Sequence, residues 1–318
     1  MKALELDRAR QTVRVTEKPK PEPAEGEALV RVLIAGICNT DLELAQGYMD
    51  FNGIPGHEFA GVVEECANDH LRGQRVVGEI NCVCHQCAYC RMEMPHHCVN
   101  RTVLGILNRD GAFAEYITLP EENLHIIPKR VPEEAAAFAE PVAAAFRITE
   151  QVRIEDGQRV VVLGDGKLGQ LIAQVLWLRT KQLVCVGRHR WKLDLLAPLG
   201  IATALDTDPI EPGADLVVEV TGTPEGLNRA LELVRPEGAV VLKTTVAQGA
   251  PIDMSRPVIN EITIVGSRCG PFRPAVEALA LGNVEVRPLI SATYPLTEGP
   301  AAFEHARRKD AIKVLLQP

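Results

Sequence analysis

The pattern of hydrophobic and polar positions changes character once along the chain. Over the first 130 residues, short apolar runs at 29–34, 60–63 and 75–77 are separated by Gly and Pro at short intervals. Such punctuation is typical of short strands joined by turns. From residue 159 onward, apolar runs of four residues alternate with helical stretches, as in a parallel sheet covered by helices. The sequence therefore predicts an all-β domain followed by a doubly wound α/β domain.

Two Ala-rich segments of high helix propensity, at 133–137 and 141–146, mark the connection between these domains. The strands predicted in the α/β domain lie at 160–163, 183–186, 216–220, 239–242 and 262–265. The segment from residue 294 is too short to form a domain alone. We therefore predict a first domain over 1–147, a second over 148–268, and a C-terminal segment over 269–318 that largely returns to the first.

Composition and charge narrow the classes of partner. The 318 residues include 42 acids and 34 Lys or Arg, for a formal net charge of −8, and no basic run exceeds Arg307 to Lys309. This balance disfavours nucleic acid as a partner. No apolar stretch approaches the ~20 residues that span a bilayer, and the N-terminus lacks the core of a signal peptide. A cytoplasmic protein with no membrane partner is expected.

The cysteines indicate a metal site. Five of the nine lie within 17 residues, and Cys84, Cys87, Cys90 and Cys98 have the spacing C-x2-C-x2-C-x7-C. Four thiolates with no open position form the structural type of zinc site. The alternative is a group of ordinary half-buried thiols, and Cys82 falls outside the pattern. A structural zinc lobe over about 82–98 is predicted, which stiffens a loop and does no chemistry.

A glycine-rich turn indicates a dinucleotide. Gly164, Gly166 and Gly169 fit G-x-G-x-x-G, with Lys167 and Leu168 inside the motif, after a predicted buried strand and before a predicted helix. In this context the first glycine allows the tight turn and the second lets backbone amides approach a pyrophosphate. The third permits close packing of helix on strand. The alternative is a glycine turn without a ligand.

The end of the second strand of such a domain distinguishes the two nicotinamide cofactors. An acid there binds the ribose hydroxyls and repels a 2′-phosphate. Here the strand ends in Gly187, followed by Arg188, His189 and Arg190. The glycine leaves room for a phosphate, and either arginine could pair with it. NADP is therefore favoured over NAD, unless the arginines are only solvated surface charges.

A second, open metal site is indicated by three separate residues. Cys38 offers a thiolate, His57 an imidazole and Glu140 a carboxylate. One sulfur, one nitrogen and one oxygen ligand leave a fourth position for water or substrate, as catalytic zinc requires. Alone, His57 reads more readily as an ordinary loop histidine.

Taken together, the chain resembles the zinc-dependent medium-chain dehydrogenase/reductase family, which includes alcohol, polyol and threonine dehydrogenases. The motifs that carry the resemblance run through the chain in order: GICNTD at 36–41, GHE at 56–58, the four-cysteine lobe, GDGKLG at 164–169 and AIKVL at 311–315. The resemblance implies a GroES-like catalytic domain, a Rossmann cofactor domain inserted into it, and a cleft between them. Family members are usually homodimers or homotetramers built through the Rossmann sheet edge, for which the strand at 262–265 is the candidate.

The resemblance also implies roles around the catalytic zinc. Cys38 and His57 correspond to ligands, and Glu58 to a ligand or a close neighbour of the metal. Glu140 stands where relatives have a cysteine, aspartate or glutamate. Asp41 corresponds to the acid that orients the zinc histidine.

Two further positions concern proton transfer, and one concerns the cofactor. Thr40 corresponds to the hydroxyl that passes the substrate proton onward. Glu43 occupies a place where the family often has a histidine at the end of this relay, so a carboxylate could take the proton. Arg268, after the last predicted Rossmann strand, is a candidate contact to the cofactor.

The implied activity is the reversible oxidation of a small-molecule alcohol to an aldehyde or ketone, with two zinc ions and NADP. One alternative keeps the fold but uses NAD on a polyol, sugar or threonine. Another is a non-catalytic zinc- and nucleotide-binding sensor or scaffold. The scaffold is disfavoured because it has no need of an open metal site.

Overall fold

The computed structural model describes residues 1–245 and 251–318, and its contacts divide the chain into two units. The first unit comprises 1–140, 275–280 and 286–318, and the second comprises 141–274 and 281–285. The division follows Glu140, near the start of a helix that continues past the sequence-predicted boundary at residue 147.

The strands are numbered in chain order. They are β1 Lys2–Asp7, β2 Thr12–Glu17, β3 Glu27–Gly36, β4 Glu58–Glu65, β5 Arg75–Gly78, β6 Asn81–Cys82, β7 Thr102–Val103, β8 Tyr116–Pro120, β9 Leu124–Ile126, β10 Val160–Leu163, β11 Leu183–Gly187, β12 Ala202–Leu205, β13 Ala214–Glu219, β14 Val234–Leu242, β15 Thr263–Gly266, β16 Ile290–Pro295 and β17 Lys313–Gln317.

The α-helices are numbered in the same way. They are α1 Asn39–Ala45, α2 Ala88–Arg91, α3 Glu133–Ala136, α4 Ala139–Gln151, α5 Lys167–Trp177, α6 Arg190–Leu193, α7 Gly226–Leu233, α8 Ser255–Ile259, α9 Phe272–Leu281 and α10 Gly299–Ala306.

A mostly antiparallel sheet forms the centre of the first unit. Its strands follow the order β16-β17-β3-β4-β5-β9, and β8 also pairs with β3. Strand β3 is ten residues long and largely buried, and it pairs with β4 on one side and with β8 and β17 on the other. The C-terminal strands β16 and β17 thus complete a sheet begun near the N-terminus.

The second unit contains a six-stranded parallel sheet in the order β12-β11-β10-β13-β14-β15. The central strand β10 is fully buried, as expected for a strand with helices on both faces. The order, with its switch beside β10, is that of a Rossmann domain. The predicted fold class, an all-β domain with a doubly wound α/β domain, is confirmed.

Across the described ranges, no helix combines the length and apolar character that a membrane crossing requires.

Candidate functional site

Strand pairing in the first unit gathers the predicted zinc ligands at one end of its sheet. Gly36 at the end of β3 lies opposite Glu58, the first residue of β4. On its other side Gly36 lies opposite Leu315 of β17. Because β3 is antiparallel to both neighbours, its final residues meet the first residues of β4 and β17. Cys38, two residues past β3, therefore lies beside the start of β4.

Three ligand groups converge at this point. One donor atom each from Cys38, His57 and Glu58 lies within 4.8 Å of the others. A thiol, an imidazole and a carboxylate are the donor types that zinc binds in proteins, so these residues fit a zinc ion. Glu140 is half-buried in the first turn of α4, and its role as a ligand stays a prediction.

Asp41 ties together the two segments that carry Cys38 and His57. It is completely buried in α1. Its Oδ2 accepts the backbone N–H of Cys38 at 2.8 Å, which caps the helix, and its Oδ1 accepts the N–H of Gly56 at 3.1 Å. The same Oδ1 lies 3.3 Å from Nδ1 of His57. A carboxylate beside one ring nitrogen is the arrangement that, in zinc sites, orients the imidazole and leaves the other nitrogen for the metal.

Burial and charge act in opposite directions on His57. Burial by itself lowers the pKa of the imidazole, because the charged form is poorly solvated. The charge and proximity of Asp41, with a smaller contribution from Cys38, outweigh this and raise the pKa well above its ordinary value. The surroundings of His57 therefore favour a positive charge, which a bound cation would also satisfy.

A buried ion pair adjoins the ligand group, and the sequence analysis did not assign it. Lys313, the first residue of β17, is 1% exposed and forms an ion pair with Glu58. Its Nζ lies 3.4 Å from the carbonyl oxygen of Ile37. The only sequence signal is a lysine within the apolar run that forms β17. Lys313 gives Glu58 a partner other than a metal ion.

The two predicted proton-transfer residues differ in their surroundings. Thr40 is half-buried, and its Oγ1 lies 3.8 Å from Sγ of Cys38, beside the ligand group. Glu43 is exposed to solvent on α1. Both roles stay predictions, and only the hydroxyl lies next to a ligand.

The four predicted structural ligands also converge. Ligand atoms of Cys84, Cys87, Cys90 and Cys98 lie within 4.8 Å of one another. The Sγ atoms of Cys87 and Cys90 are 3.5 Å apart, as are those of Cys84 and Cys98. Cys82 lies outside the group, as the spacing predicts.

The pKa values of the thiols in this lobe are consistent with a site that binds a cation. Hydrogen bonds from the backbone of Gln86 and the side chain of Asn100 lower the pKa of Cys84 to about 6. Desolvation and the neighbouring Cys87 raise the pKa of Cys90 to about 12. Since a zinc ion binds thiolates, it would remove the repulsion that keeps all four from ionising together. The donor set fits the structural type of zinc site.

The glycine turn of the second unit has room for a ligand. Gly164 has φ of +131°, and a Cβ on Gly169 would lie 2.0 Å from the carbonyl oxygen of Gly164. These two glycines allow the turn and the close packing of α5. Gly166 precedes α5, and no described atom lies within 4 Å of where its Cβ would be. Open space therefore lies beside Gly166, directly before the N-terminus of α5, and a helix N-terminus next to free space fits a pyrophosphate.

The other predicted cofactor residues belong to this unit. Lys167 and Leu168 form the start of α5, and both are half-buried. Arg268 follows β15 and is exposed, and its backbone carbonyl accepts a hydrogen bond from Lys243 Nζ at 3.0 Å. Their contacts to a cofactor stay predictions.

At the end of β11, both predicted phosphate-binding arginines have acidic partners. Arg188 Nε donates to Oδ2 of Asp206 at 3.1 Å. Arg190 Nη2 lies 3.7 Å from Oδ2 of Asp208. All four side chains are substantially exposed, so these pairs are weak and screened by salt.

Comparison with known proteins gives the family. Residues 24–129 match the model of the alcohol dehydrogenase GroES-like domain, and residues 168–282 match the zinc-binding dehydrogenase model. An L-threonine 3-dehydrogenase from Streptomyces avermitilis is 30% identical over 99% of both chains. The chain belongs to the zinc-dependent medium-chain dehydrogenases. The predicted family is confirmed, and this dehydrogenase is an alcohol dehydrogenase-like oxidoreductase.

Two further relatives cover nearly the whole dehydrogenase. A sorbitol dehydrogenase from Halalkalibacterium halodurans is 29% identical over 96% of this chain and 95% of its own. The crystal structure of a zinc-binding dehydrogenase from Sinorhizobium meliloti, bound to NADP, is 29% identical. It covers 100% of this chain and 99% of its own, with a TM-score of 0.91.

Proposed function

We propose that this dehydrogenase reversibly oxidises a secondary alcohol of a polyol, sugar or amino alcohol, using zinc and a nicotinamide cofactor. The convergence of Cys38, His57 and Glu58, with the Thr40 hydroxyl beside them, carries the proposal. Three unlike ligands leave a position open for substrate, whereas a purely structural site closes it.

The chain's own residues would divide the work as follows. Cys38, His57 and either Glu58 or Glu140 would hold the metal, and Asp41 would fix the imidazole. When bound, zinc would supply a Lewis acid toward the alcohol oxygen and the nicotinamide a two-electron acceptor. Thr40 would carry the hydroxyl proton away from the reacting oxygen, and Glu43, exposed on the same helix, would deliver it toward solvent.

The substrate class rests on the relatives. The curated relatives include a sorbitol dehydrogenase and an L-threonine 3-dehydrogenase, whose substrates by name carry a secondary alcohol. The Glu140-Pro141 junction in this chain supports the same group, since it resembles the polyol, sugar and threonine branch. Small molecules of this class are the proposed partners.

The number of zinc ions, the localisation and the choice between NAD and NADP also belong to this proposal. Two zinc ions are supported by the two ligand groups. A cytoplasmic setting stays a prediction. The sequence favoured NADP because Arg188 and Arg190 could pair with its 2′-phosphate. The structure weakens this argument, because Asp206 and Asp208 already pair with the two arginines.

The test combines metal counting with turnover. Zinc-loaded protein is assayed with NAD and with NADP against a panel of polyols, sugars and amino alcohols, following the absorbance of the reduced nicotinamide. Formation of reduced cofactor with a member of the panel is expected. Absence of turnover with every alcohol and both cofactors would refute the proposal.

The role of Glu140 is tested separately. Glu140→Ala is expected to lose one of two zinc equivalents and all turnover. Glu134→Ala, an exposed acid of α3, is the matched control and should keep both. Two zinc ions and normal turnover in Glu140→Ala would leave Glu58 as the carboxylate ligand.

A further inference from the structure

Asp165, the second residue of the glycine turn, reaches the end of the neighbouring strand. It is 8% exposed. Its Oδ2 accepts the backbone N–H of Arg188 at 2.7 Å and that of His189 at 2.6 Å. Strands β10 and β11 are parallel neighbours, with Leu163 opposite Val186. This register places the turn after β10 next to the residues that follow β11.

Gly187 is explained by the same carboxylate. A Cβ on Gly187 would lie 2.3 Å from Cβ of Asp165 and 2.5 Å from its Oδ2. Any larger residue at the end of β11 would therefore displace Asp165. The glycine makes room for an acid from the adjacent turn, which differs from the sequence-based expectation that it makes room for a phosphate.

The backbone donors that a 2′-phosphate would need are engaged by Asp165, whereas the two exposed arginines are only weakly paired with their acids. Phosphate sites are built from backbone N–H groups and from cations that are not neutralised. Here the N–H groups of Arg188 and His189 donate to Asp165, and the Arg188 guanidinium pairs with Asp206. Arg190 pairs with Asp208.

The local charge and the remaining acceptor favour ribose hydroxyls. The end of β11 holds two arginines, paired with Asp206 and Asp208, and a third carboxylate, Asp165, against which the His189 ring lies. A phosphate dianion would meet an excess of negative charge. Within the described residues, the hydrogen-bonding partner of the second oxygen of Asp165, Oδ1, is the ring nitrogen of His189 at 3.3 Å, and that nitrogen lies closer to Oδ2, at 3.1 Å. A carboxylate oxygen has two lone-pair directions, so Oδ1 retains capacity to accept from a hydroxyl.

We propose that Asp165 makes this dehydrogenase selective for NAD over NADP. In other Rossmann domains an acid at the end of the second strand accepts hydrogen bonds from the ribose hydroxyls of NAD. Asp165 would accept these bonds from its place in the glycine turn. The inference rests on the proposed function, since it assumes that a nicotinamide dinucleotide binds at this turn. It reverses the preference for NADP expected from Gly187 and Arg188 in the sequence.

The experiment measures binding, so that turnover is not needed. NAD and NADP are titrated into the zinc-loaded wild type by calorimetry, and the two Kd values are compared. NADP is expected to bind about tenfold to a hundredfold more weakly, the effect of gaining or losing one hydrogen bond to a charged group. Asp165→Asn keeps the size and removes the charge, and should shrink this ratio about tenfold or more.

A matched control distinguishes an effect specific to Asp165 from the effect of removing any negative charge in the second unit. Asp194 is the next acid along the chain and is exposed beyond α6. Asp194→Asn should leave the ratio of the two Kd values unchanged. An equal response of both variants would overturn the assignment to Asp165.

Arg188→Ala provides a second variant that leaves the glycine turn intact. If the sequence-based assignment is right, this substitution weakens NADP binding selectively, and that result would overturn the inference. If Asp165 is the selector, Arg188→Ala changes the ratio less than Asp165→Asn does. Should Asp165→Asn fail to fold, two results remain as the test. The wild type should bind NAD more tightly than NADP, and Arg188→Ala should not weaken NADP binding selectively.

The remaining outcomes distinguish the two proposals. Tighter binding of NADP by the wild type overturns the role of Asp165 and leaves the proposed function standing. If folded Asp165→Asn has the same ratio of Kd values for NADP and NAD as the wild type, the role of Asp165 is also overturned and the proposed function stands. Failure of folded, zinc-loaded wild type to bind either cofactor at millimolar concentration would instead refute the proposed function.

Discussion

Asp41 links the two segments that carry the proposed metal ligands Cys38 and His57. Its two oxygens serve the Cys38 and Gly56 backbone amides and also face the His57 ring. The helix that presents Cys38 and the loop that presents His57 therefore share one buried anchor. Losing its charge would loosen both ligands at once.

Asp41→Asn is accordingly expected to weaken zinc binding at this site by about tenfold to a hundredfold. The amide keeps the volume but supplies a single acceptor oxygen and no charge. Competition with a chelator of known affinity measures the change. Asp69→Asn, a loop acid with a 92% exposed side chain, is the control. Equal zinc affinity in the two variants would contradict the anchoring role.

Lys313 is a second residue whose importance depends on a remote partner. Burial by itself lowers the pKa of this amine. The charge of Glu58, followed by that of Cys38, outweighs burial and raises it. Lys313 thus keeps its charge although its side chain is 1% exposed.

Lys313→Met is expected to lower the free energy of unfolding by about 3–5 kcal/mol, because Glu58 would be left as an unpaired buried charge. Lys313→Met combined with Glu58→Gln should recover part of the loss. Urea unfolding measures both variants. Lys309→Met, at an exposed position, should change stability by no more than about 0.5 kcal/mol. A loss in the double variant as large as in the single one would argue against the unpaired charge as the cause.

At the residue scale, local motifs were predictable and remote partners were not. Cys38, His57 and the four lobe cysteines were predicted as metal ligands from types and spacings that metal chemistry constrains, and the fold brings each set together. The partners Lys313 of Glu58 and Asp165 of Arg188 were missed, because each pair is formed by strands that meet only in the folded sheet.

At the scale of elements, the cysteine lobe is short of regular structure that could hold it together. Its helix α2 has four residues, and β6 and β7 have two each. So little hydrogen-bonded structure buries too few groups to fix a loop of this length. A metal bound by the four thiolates would provide the missing constraint.

Cys98→Ser is therefore expected to lose about one of two zinc equivalents and to expose the segment 84–98 to proteolysis. Cys82→Ala, which removes a buried thiol outside the group, should keep both metal ions. Metal analysis with limited proteolysis distinguishes the two. Full zinc content in Cys98→Ser would show that this thiol is not a ligand.

Element prediction was most complete for buried strands, and one strand without buried residues was missed. The apolar runs at β10, β11, β13 and β14 were identified because strands buried on both faces need continuous apolar residues. Strand β12 was missed. Its residues are exposed or half-buried, and it is a strand because it pairs with β11.

At the scale of the whole molecule, the edge of the six-stranded sheet in the second unit is a candidate surface for homo-oligomerisation. Strand β15 ends the six-stranded sheet, and its Ile264 is 36% exposed. On the preceding helix α8, Val258 and Ile259 are 74% and 76% exposed. Unpaired strand edges and clustered apolar side chains favour association. This supports the homodimer or homotetramer predicted from the sequence.

Ile264→Lys is expected to convert the assembly to a species of smaller mass, because a charge on an edge strand opposes pairing. Light scattering coupled to size exclusion measures the mass. Ile126→Lys alters an exposed isoleucine on β9, the last strand in the other sheet's order, and should leave the mass unchanged. A wild-type protein that is monomeric at working concentration would contradict the prediction.

The sequence alone determined the fold class and the family and predicted the types of metal ligand, because burial periodicity, glycine turns and ligand spacing act over short stretches of chain. The tertiary structure decided which groups meet. Strand pairing set Lys313 against Glu58 and Asp165 against the end of β11. Such contacts depend on sheet order and register, which long-range packing fixes.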